Sequence, residues 1–209
     1  MSALEILAAG QAVSSLLMAL AWFFCKRLKN ASYVDALWAY GVGVMGIVFI
    51  CSVEGDSSRK NWVIGLLALW SLRLGTHLLK RCRKGIEDSR YRYFRRSWGD
   101  RADYLFFLFF QKQAFWVVLF AAPFLIVGNN PEPMGVLDFI GISVWAAGFI
   151  GGGLADRQLA NFKNEAGRKP GDVCSAGLWR LSRHPNYFFE WVLWCSYPFL
   201  GWQAANGSW

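Results

Sequence analysis

The 209-residue chain carries 22 lysine and arginine residues against 14 acidic ones, and 55% of its residues are hydrophobic. Charged residues make up only 17% of the chain, below the roughly 25% of soluble globular proteins. These values exclude a disordered chain, a collagen-like chain and a small disulfide scaffold. They also exclude an ordinary soluble enzyme, because the apolar residues stand in long blocks rather than in helical or strand periods.

Six apolar blocks are long enough to cross a bilayer, since a membrane-spanning helix needs about 20 mostly apolar residues. In lipid every backbone polar group must be bonded internally, so the blocks should be helices. We predict an all-α polytopic transmembrane bundle that forms one integral membrane domain over 1–209. Residues Tyr104–Phe110 are expected to form a short interfacial helix ahead of the fourth span. The blocks cover residues 6–25, 36–53, 61–79, 113–131, 139–155 and 191–209.

The basic residues predict how the bundle is oriented. Eighteen lysines and arginines fall in the loops 26–34, 80–103 and 156–185, whereas the opposite side carries only Arg59 and Lys60. Basic residues concentrate on the cytoplasmic side of membrane proteins. The sequence therefore predicts an N-terminus outside and three cytoplasmic loops. Attraction of these loops to anionic lipid is an alternative explanation of the net charge of +8, and a nucleic-acid partner is not expected.

Ionisable residues within or beside spans are the first candidates for function. Arg73, His77, Arg81 and Lys84 are spaced four, four and three residues apart, so they share one helical face. That face could hold a polyanionic ligand, although Arg81 and Lys84 could also simply extend to water. Asp35 opens the second span, where the helix dipole alone would favour a carboxylate.

The segment after the fifth span is rich in polar residues. Asp156 and Lys163 lie seven residues apart and thus on one helical face. Because Pro185 fits the first turn of a helix, Asn186 and Glu190 should share a face, with Arg183 or His184 as the partner of the carboxylate. This pattern predicts a ligand site. The five cysteines are scattered without a C-x-x-C pair, so no metal site is expected.

Five runs carry a resemblance to a known family across essentially the whole chain. They resemble the steroid 5-alpha-reductase superfamily, in particular its bacterial branch of unknown function. The Arg-His-Pro-Asn-Tyr core is also similar to that of isoprenylcysteine carboxyl methyltransferases. The runs are Gly-Leu-Trp-Arg-Leu-Ser-Arg-His-Pro-Asn-Tyr-Phe-Phe-Glu-Trp at 177–191, Asn-Ala-Ser-Tyr-Val-Asp-Ala-Leu-Trp at 30–38, Leu-Trp-Ser-Leu-Arg-Leu at 69–74, Glu-Asp-Ser-Arg-Tyr at 87–91 and Ala-Asp-Arg-Gln-Leu-Ala-Asn-Phe-Lys at 155–163.

The resemblance implies a reductase that uses NADPH on a C=C bond conjugated to a carbonyl in a lipophilic substrate, in a bacterial inner membrane and from the cytoplasmic side. No G-x-G-x-x-G motif follows a predicted strand, so the cofactor site is not expected to be of the Rossmann type. The steroid reductases use a glutamate of the second span and a tyrosine of the third on the carbonyl. Here Asp35 is the nearest carboxylate and Trp70 stands at the tyrosine position, so the resemblance implies Asp35 or Tyr91 as the proton donor. The expected cofactor contacts are Arg81, Lys84, Asp156, Lys163, Arg183, His184, Asn186, Tyr187 and Glu190.

Two alternatives to this function stay open. An S-adenosylmethionine-dependent methyltransferase of the isoprenylcysteine or phospholipid type would use the same Arg-His-Pro-Asn-Tyr core, and a non-catalytic lipid-binding membrane protein would explain the basic loops. Members of the resembled family usually have seven spans and a basic cytoplasmic tail. We therefore expect a further span and tail to be absent from this sequence, and NADPH to bind it weakly.

Overall fold

The computed structural model describes residues 1–82, 87–165, 167, 169 and 171–202. Lys84, a predicted cofactor contact, lies outside the described residues. The described chain is helical and contains no strand. Its helices are α1 (Ala3–Arg27), α2 (Tyr33–Cys51), α3 (Ser57–Cys82), α4 (Ser89–Trp98), α5 (Ala102–Ala121), α6 (Pro123–Gly128), α7 (Val136–Lys163), α8 (Pro185–Trp194) and α9 (Tyr197–Gly201), with 3-10 turns at Gly99–Arg101 and Gly177–Arg180.

The predicted all-α polytopic membrane bundle is confirmed. Five helical stretches in the described part of the chain are long and apolar enough to cross a membrane: α1, α2, α3, the stretch Ser89–Gly128 and α7. They contain the first, third and fifth predicted blocks, and all but the last two residues of the second and the last three of the fourth. Helix α1 begins with a capping box, in which Ser2 and Glu5 satisfy each other's backbone N–H groups.

One predicted element is wrong. Residues Tyr104–Phe110 are not a separate interfacial helix, because they belong to α5, which continues without a break to Ala121. The segments 80–103 and 156–185, predicted as cytoplasmic loops, contain helical residues, and their position outside the membrane stays a prediction. Helix α3 extends to Cys82, α4 lies within the first loop, and α7 continues past Asp156 to Lys163. A helix that leaves the bilayer retains its backbone hydrogen bonds in water, so the end of an apolar block need not end the helix.

The sixth block is interrupted within its described part. Helix α8 ends at Trp194 and α9 begins at Tyr197, and residues 203–209 lie outside the description. Pro198 has no N–H to donate to the carbonyl of Trp194, four residues earlier, and its ring crowds that carbonyl. The Ser196 hydroxyl instead donates to the carbonyl of Leu193 at 2.6 Å.

The chain divides into two compact units, Met1–Pro131 and Glu132–Trp209. In unit 1, α2 packs against α1, α3, α5 and α6. Close approach depends on small residues: a Cβ added at Gly43 would lie 2.3 Å from the Ser71 hydroxyl oxygen. In unit 2, α7 packs against α8 and α9. There a Cβ at Gly148 would lie 2.6 Å from the backbone nitrogen of Leu193.

Candidate functional site

A cavity of about 250 Å³ lies in unit 1, between the end of α3, the start of α2 and the start of α4. We call this region the basic end of unit 1; α1 also ends there and α5 begins there. Seven of the cavity's nine lining residues have polar or charged side chains. The lining residues are Ser32, Asp35, Leu78, Arg81, Cys82, Glu87, Asp88, Ser89 and Arg92.

The structure brings the two candidate proton donors together. The Tyr91 hydroxyl donates to Oδ1 of Asp35 at 2.5 Å, and Nη2 of Arg90 donates to Oδ2 at 2.9 Å. Asp35 lines the cavity, whereas the Tyr91 side chain is only 2% exposed. Burial, followed by the charge of Asp35, raises the pKa of Tyr91 well above its usual value, so the phenol stays protonated. Asp35 is thus the member of the pair that a ligand in the cavity would meet.

Asp88 joins two arginines at the cavity wall. Its Oδ1 accepts from the backbone N–H of Arg90 at 3.0 Å and from Nε of Arg90 at 3.1 Å, while its Oδ2 accepts from Nη2 of Arg81 at 3.1 Å. Burial opposes ionisation of Asp88, but the hydrogen bonds and charge of Arg90 hold its pKa below the usual value. The backbone N–H of Asp88 donates to the Ser32 hydroxyl at 2.8 Å, which ties the start of α4 to the start of α2.

Glu87 forms a second link to the start of α2. Its Oε1 accepts from the backbone N–H of Ala31 and from Nη2 of Arg95, each at 2.8 Å, and its Oε2 accepts from Nε of Arg95 at 3.2 Å. Only 8% of the Glu87 side chain is exposed. A two-point arginine–carboxylate pair of this kind fixes direction as well as distance. It therefore holds α4 in the position that places Tyr91 on Asp35.

The basic loop offers fewer cations to a ligand than the nine that the sequence places between 80 and 101. Arg81, Arg90 and Arg95 already pair with carboxylates of the protein. Among the described residues around the cavity, three carboxylates face four guanidinium groups, which leaves one of these guanidinium groups without a carboxylate. Arg92 carries that group, because it lines the cavity and pairs with no residue in the described ranges. The cavity is thus suited to a ligand with an anionic group.

Unit 2 brings together two predicted cofactor residues. Nδ2 of Asn186, on α8, donates to Oδ1 of Asp156, on α7, at 3.2 Å. Oδ1 of Asn186 is buried and accepts no hydrogen bond from any residue that the structure describes. The Trp179 indole N–H donates to the carbonyl of Ala155 at 2.9 Å, and the side-chain oxygen of Gln158 accepts from the backbone N–H of Leu178 at 2.9 Å. These bonds hold the 3-10 turn before α8 against α7.

The other predicted residues of unit 2 are less closely associated. Oε1 of Glu190 accepts from the indole N–H of Trp194, one turn along α8, at 3.3 Å. The rings of His184 and Tyr187 lie 5.4 Å apart between centroids. Both of these residues are exposed, as are Arg183 and Lys163.

Sequence reasoning missed several residues that build the cavity. The prediction includes only Tyr91 of the run Glu-Asp-Ser-Arg-Tyr. In the structure, Glu87, Asp88 and Arg90 provide most of the contacts around Asp35, and Arg95 completes them. The available signal was the pair of adjacent acids inside an otherwise basic loop. Acidic residues in such a loop are expected to pair within the protein, which reduces the charge available for a ligand.

The fold and this cavity define an all-helical polytopic membrane protein with a hydrogen-bonded carboxylate–tyrosine pair beside a basic end. The chain belongs to the family described as "Protein of unknown function (DUF1295)", which is steroid 5-alpha-reductase-like and matches residues 21–209. An uncharacterized protein of Schizosaccharomyces pombe is 28% identical over 225 residues, covering 94% of this chain and 65% of that protein. The chain therefore spans slightly less than two thirds of that relative's length. No solved structure matches the chain.

Proposed function

We propose that the protein is a membrane-embedded reductase that uses NADPH to reduce a C=C bond conjugated to a carbonyl in a lipophilic substrate. Family membership and the cavity in unit 1 support the proposal together. The observation that carries it is Asp35, which faces the cavity while Tyr91 and Arg90 each donate a hydrogen bond to it. Reduction of a conjugated carbonyl needs such a group, because negative charge develops on the carbonyl oxygen.

The cavity in unit 1 fits the phosphates of NADPH. Arg92 and the Arg81 guanidinium line it and offer cations to phosphate oxygens, and arginine suits phosphate because of its planar fork of donors. These two residues would hold the cofactor. In unit 2, considered by itself, Oδ1 of Asn186 is buried and accepts no hydrogen bond from a described residue, so it offers an acceptor to an amide N–H, with Asp156 fixing the orientation of its side chain. When bound, NADPH would supply the hydride.

The protein's own part in the reaction is proton delivery. Asp35 is a carboxylate in the structure, so it first takes up a proton from water. It then gives this proton to the carbonyl oxygen of the substrate as the β-carbon is reduced, and the neutral enol forms. The carboxylate that remains is stabilised at Oδ1 by the Tyr91 hydroxyl and at Oδ2 by the Arg90 guanidinium. Both donors stand in the positions that this carboxylate needs. We therefore assign substrate contact to Asp35 and positioning roles to Tyr91 and Arg90.

The cofactor is tested by titrating the purified full chain in detergent, separately with NADPH, NADH and S-adenosylmethionine, and following binding by calorimetry. We expect NADPH to bind more tightly than NADH, which lacks the 2′-phosphate, and S-adenosylmethionine not to bind. Arg92→Gln removes a charged hydrogen-bond donor worth about 1.5–3 kcal/mol, so it should weaken NADPH binding about tenfold or more. Arg96→Gln is the matched control, because Arg96 lies on the same helix and does not line the cavity.

The same titration discriminates between the alternative functions. Tight binding of S-adenosylmethionine without NADPH binding would replace the reductase with a methyltransferase. Failure of all three ligands to bind would overturn the proposed cofactor and favour a lipid-binding protein. Equal losses in Arg92→Gln and Arg96→Gln would show that NADPH responds to net charge rather than to the cavity.

A further inference from the structure

Helix α4 is amphipathic, and its inner face is fully accounted for by packing within unit 1. Phe94 stacks on Trp98 with ring centroids 5.0 Å apart, and Trp98 meets Phe106 of α5 edge-on at 5.0 Å. Tyr91 contacts Phe109 at 5.9 Å. This aromatic layer fixes the rotation of α4 about its axis, so the residues on the opposite face must point away from the bundle.

The outer face of α4 and the turn after it form a surface that we call the outer basic patch, consisting of Tyr93, Arg96 and Arg101. All three residues are exposed. Neither arginine pairs with a carboxylate among the residues that the structure describes, whereas Arg90 and Arg95 of the same helix both do. The helix therefore directs Arg90 and Arg95 to partners within the protein and Arg92 to the cavity, whereas Arg96 faces outward.

Neighbouring helices indicate the level of the membrane surface at this patch. Large apolar side chains of α5 are exposed along one helical face at Leu108, Phe115 and Leu119, as expected of a face in contact with lipid tails. Exposed Tyr104 continues this face toward the basic end of unit 1. Trp22 of α1 lies at the same level, since its indole N–H donates to the carbonyl of Asp103 at 3.0 Å.

Tyrosine and tryptophan concentrate where hydrocarbon meets the lipid headgroups. The outer basic patch lies immediately beyond this aromatic level. Arg101 is three residues before Tyr104, and the turn Gly99–Arg101 joins α4 directly to α5. Gly99 adopts φ +51°, a left-handed conformation that glycine tolerates, and this allows the chain to turn sharply between the two helices.

We propose that α4 lies at the membrane surface and that the outer basic patch binds the phosphates of anionic phospholipid headgroups. Arg96 and Arg101 provide the charge, and Tyr93 provides an aromatic ring with a polar tip at the headgroup level. The occupant is lipid of the surrounding bilayer, because the patch continues the lipid-facing side of α5. Bound headgroups would hold α4, and with it Tyr91, against α2.

The test is native mass spectrometry of the full chain in detergent, titrated with phosphatidylglycerol and, in parallel, with phosphatidylcholine. Each basic residue near an anionic surface contributes enough for about a fivefold change in affinity, so Arg96→Gln/Arg101→Gln should bind phosphatidylglycerol about thirtyfold more weakly. Its binding of phosphatidylcholine and of NADPH should be unchanged. The matched control is Arg157→Gln/Arg180→Gln, which removes the same charge from exposed positions in unit 2 and should retain phosphatidylglycerol binding within about twofold.

Three outcomes would overturn the proposal. Wild-type affinity of Arg96→Gln/Arg101→Gln for phosphatidylglycerol would remove the patch as a lipid site. An equal loss in the control would assign the effect to overall charge. Tighter binding of an oligoribonucleotide or an acidic peptide than of phosphatidylglycerol would assign the patch to another partner. Circular dichroism of each variant shows that the helices have formed before lipid is added.

Discussion

Replacing Tyr91 with phenylalanine tests the central contact of the candidate site with the smallest change. The Tyr91 ring is buried against Phe94, Phe106 and Phe109, and phenylalanine preserves this packing. Only the hydroxyl that donates to Asp35 is lost. Hydrogen bonds to charged groups contribute about 1.5–3 kcal/mol. If that stabilisation acts on the carboxylate left after proton transfer, Tyr91→Phe should slow NADPH-dependent reduction about tenfold to a hundredfold.

The effect of Tyr91→Phe should depend on Asp35. A general acid typically contributes about 10²–10⁴-fold, so Asp35→Asn should be the slower single variant. In the double variant the hydroxyl no longer has a carboxylate to stabilise, and its removal should add little. The assay is the loss of NADPH absorbance with a set of lipophilic enones as substrates, with NADPH affinity measured separately. Tyr93→Phe, at an exposed tyrosine of the same helix, is the control.

Two results would refute this reasoning. Wild-type turnover in Tyr91→Phe would show that the hydroxyl does not act on the reaction. Fully additive losses in Tyr91→Phe and Asp35→Asn would show that the hydroxyl acts somewhere other than on Asp35. A tenfold loss of NADPH affinity in Tyr91→Phe would instead place Tyr91 at the cofactor, and the positioning role would be wrong.

Two further predictions concern stability and are measured as thermal unfolding midpoints in detergent. Glu87→Ala removes both bonds to the Arg95 guanidinium and leaves the backbone N–H of Ala31 without its acceptor, at a cost of about 2 kcal/mol. The unfolding midpoint should therefore fall by about 4–8 °C. An unchanged midpoint would mean that the Glu87–Arg95 pair does not hold α4. Gly148→Ala forces a Cβ against the Leu193 backbone and should cost about 1–3 kcal/mol. Gly65→Ala meets nothing within 4 Å and should be neutral or stabilising by up to about 1 kcal/mol. Equal midpoints for the two glycine variants would contradict the close packing of α7 and α8.

The sequence by itself determined the membrane-embedded helical class. Block length and the absence of charge decide this, because a bilayer leaves no option but internally bonded backbone, and five helical stretches confirm it. The sequence also predicts where α8 begins, because proline fits the first turn of a helix, and Pro185 is the first residue of α8. The sequence analysis did not predict the interruption at Pro198. The resemblance carried by short runs led to the family that matches residues 21–209.

Only the tertiary structure decided which charges are available. Between residues 80 and 101 the sequence shows a basic stretch, and charge counts alone suggested a large anion site. In the folded chain, Asp88, Asp35 and Glu87 neutralise three of its arginines, and these partners lie between 7 and 55 positions away along the chain. Partners at such separations depend on how α2, α3 and α4 meet, which no local pattern encodes. The same packing buries Tyr91 against aromatic rings of α5 and turns its hydroxyl onto Asp35, and this joins two residues that the sequence offered only as alternatives.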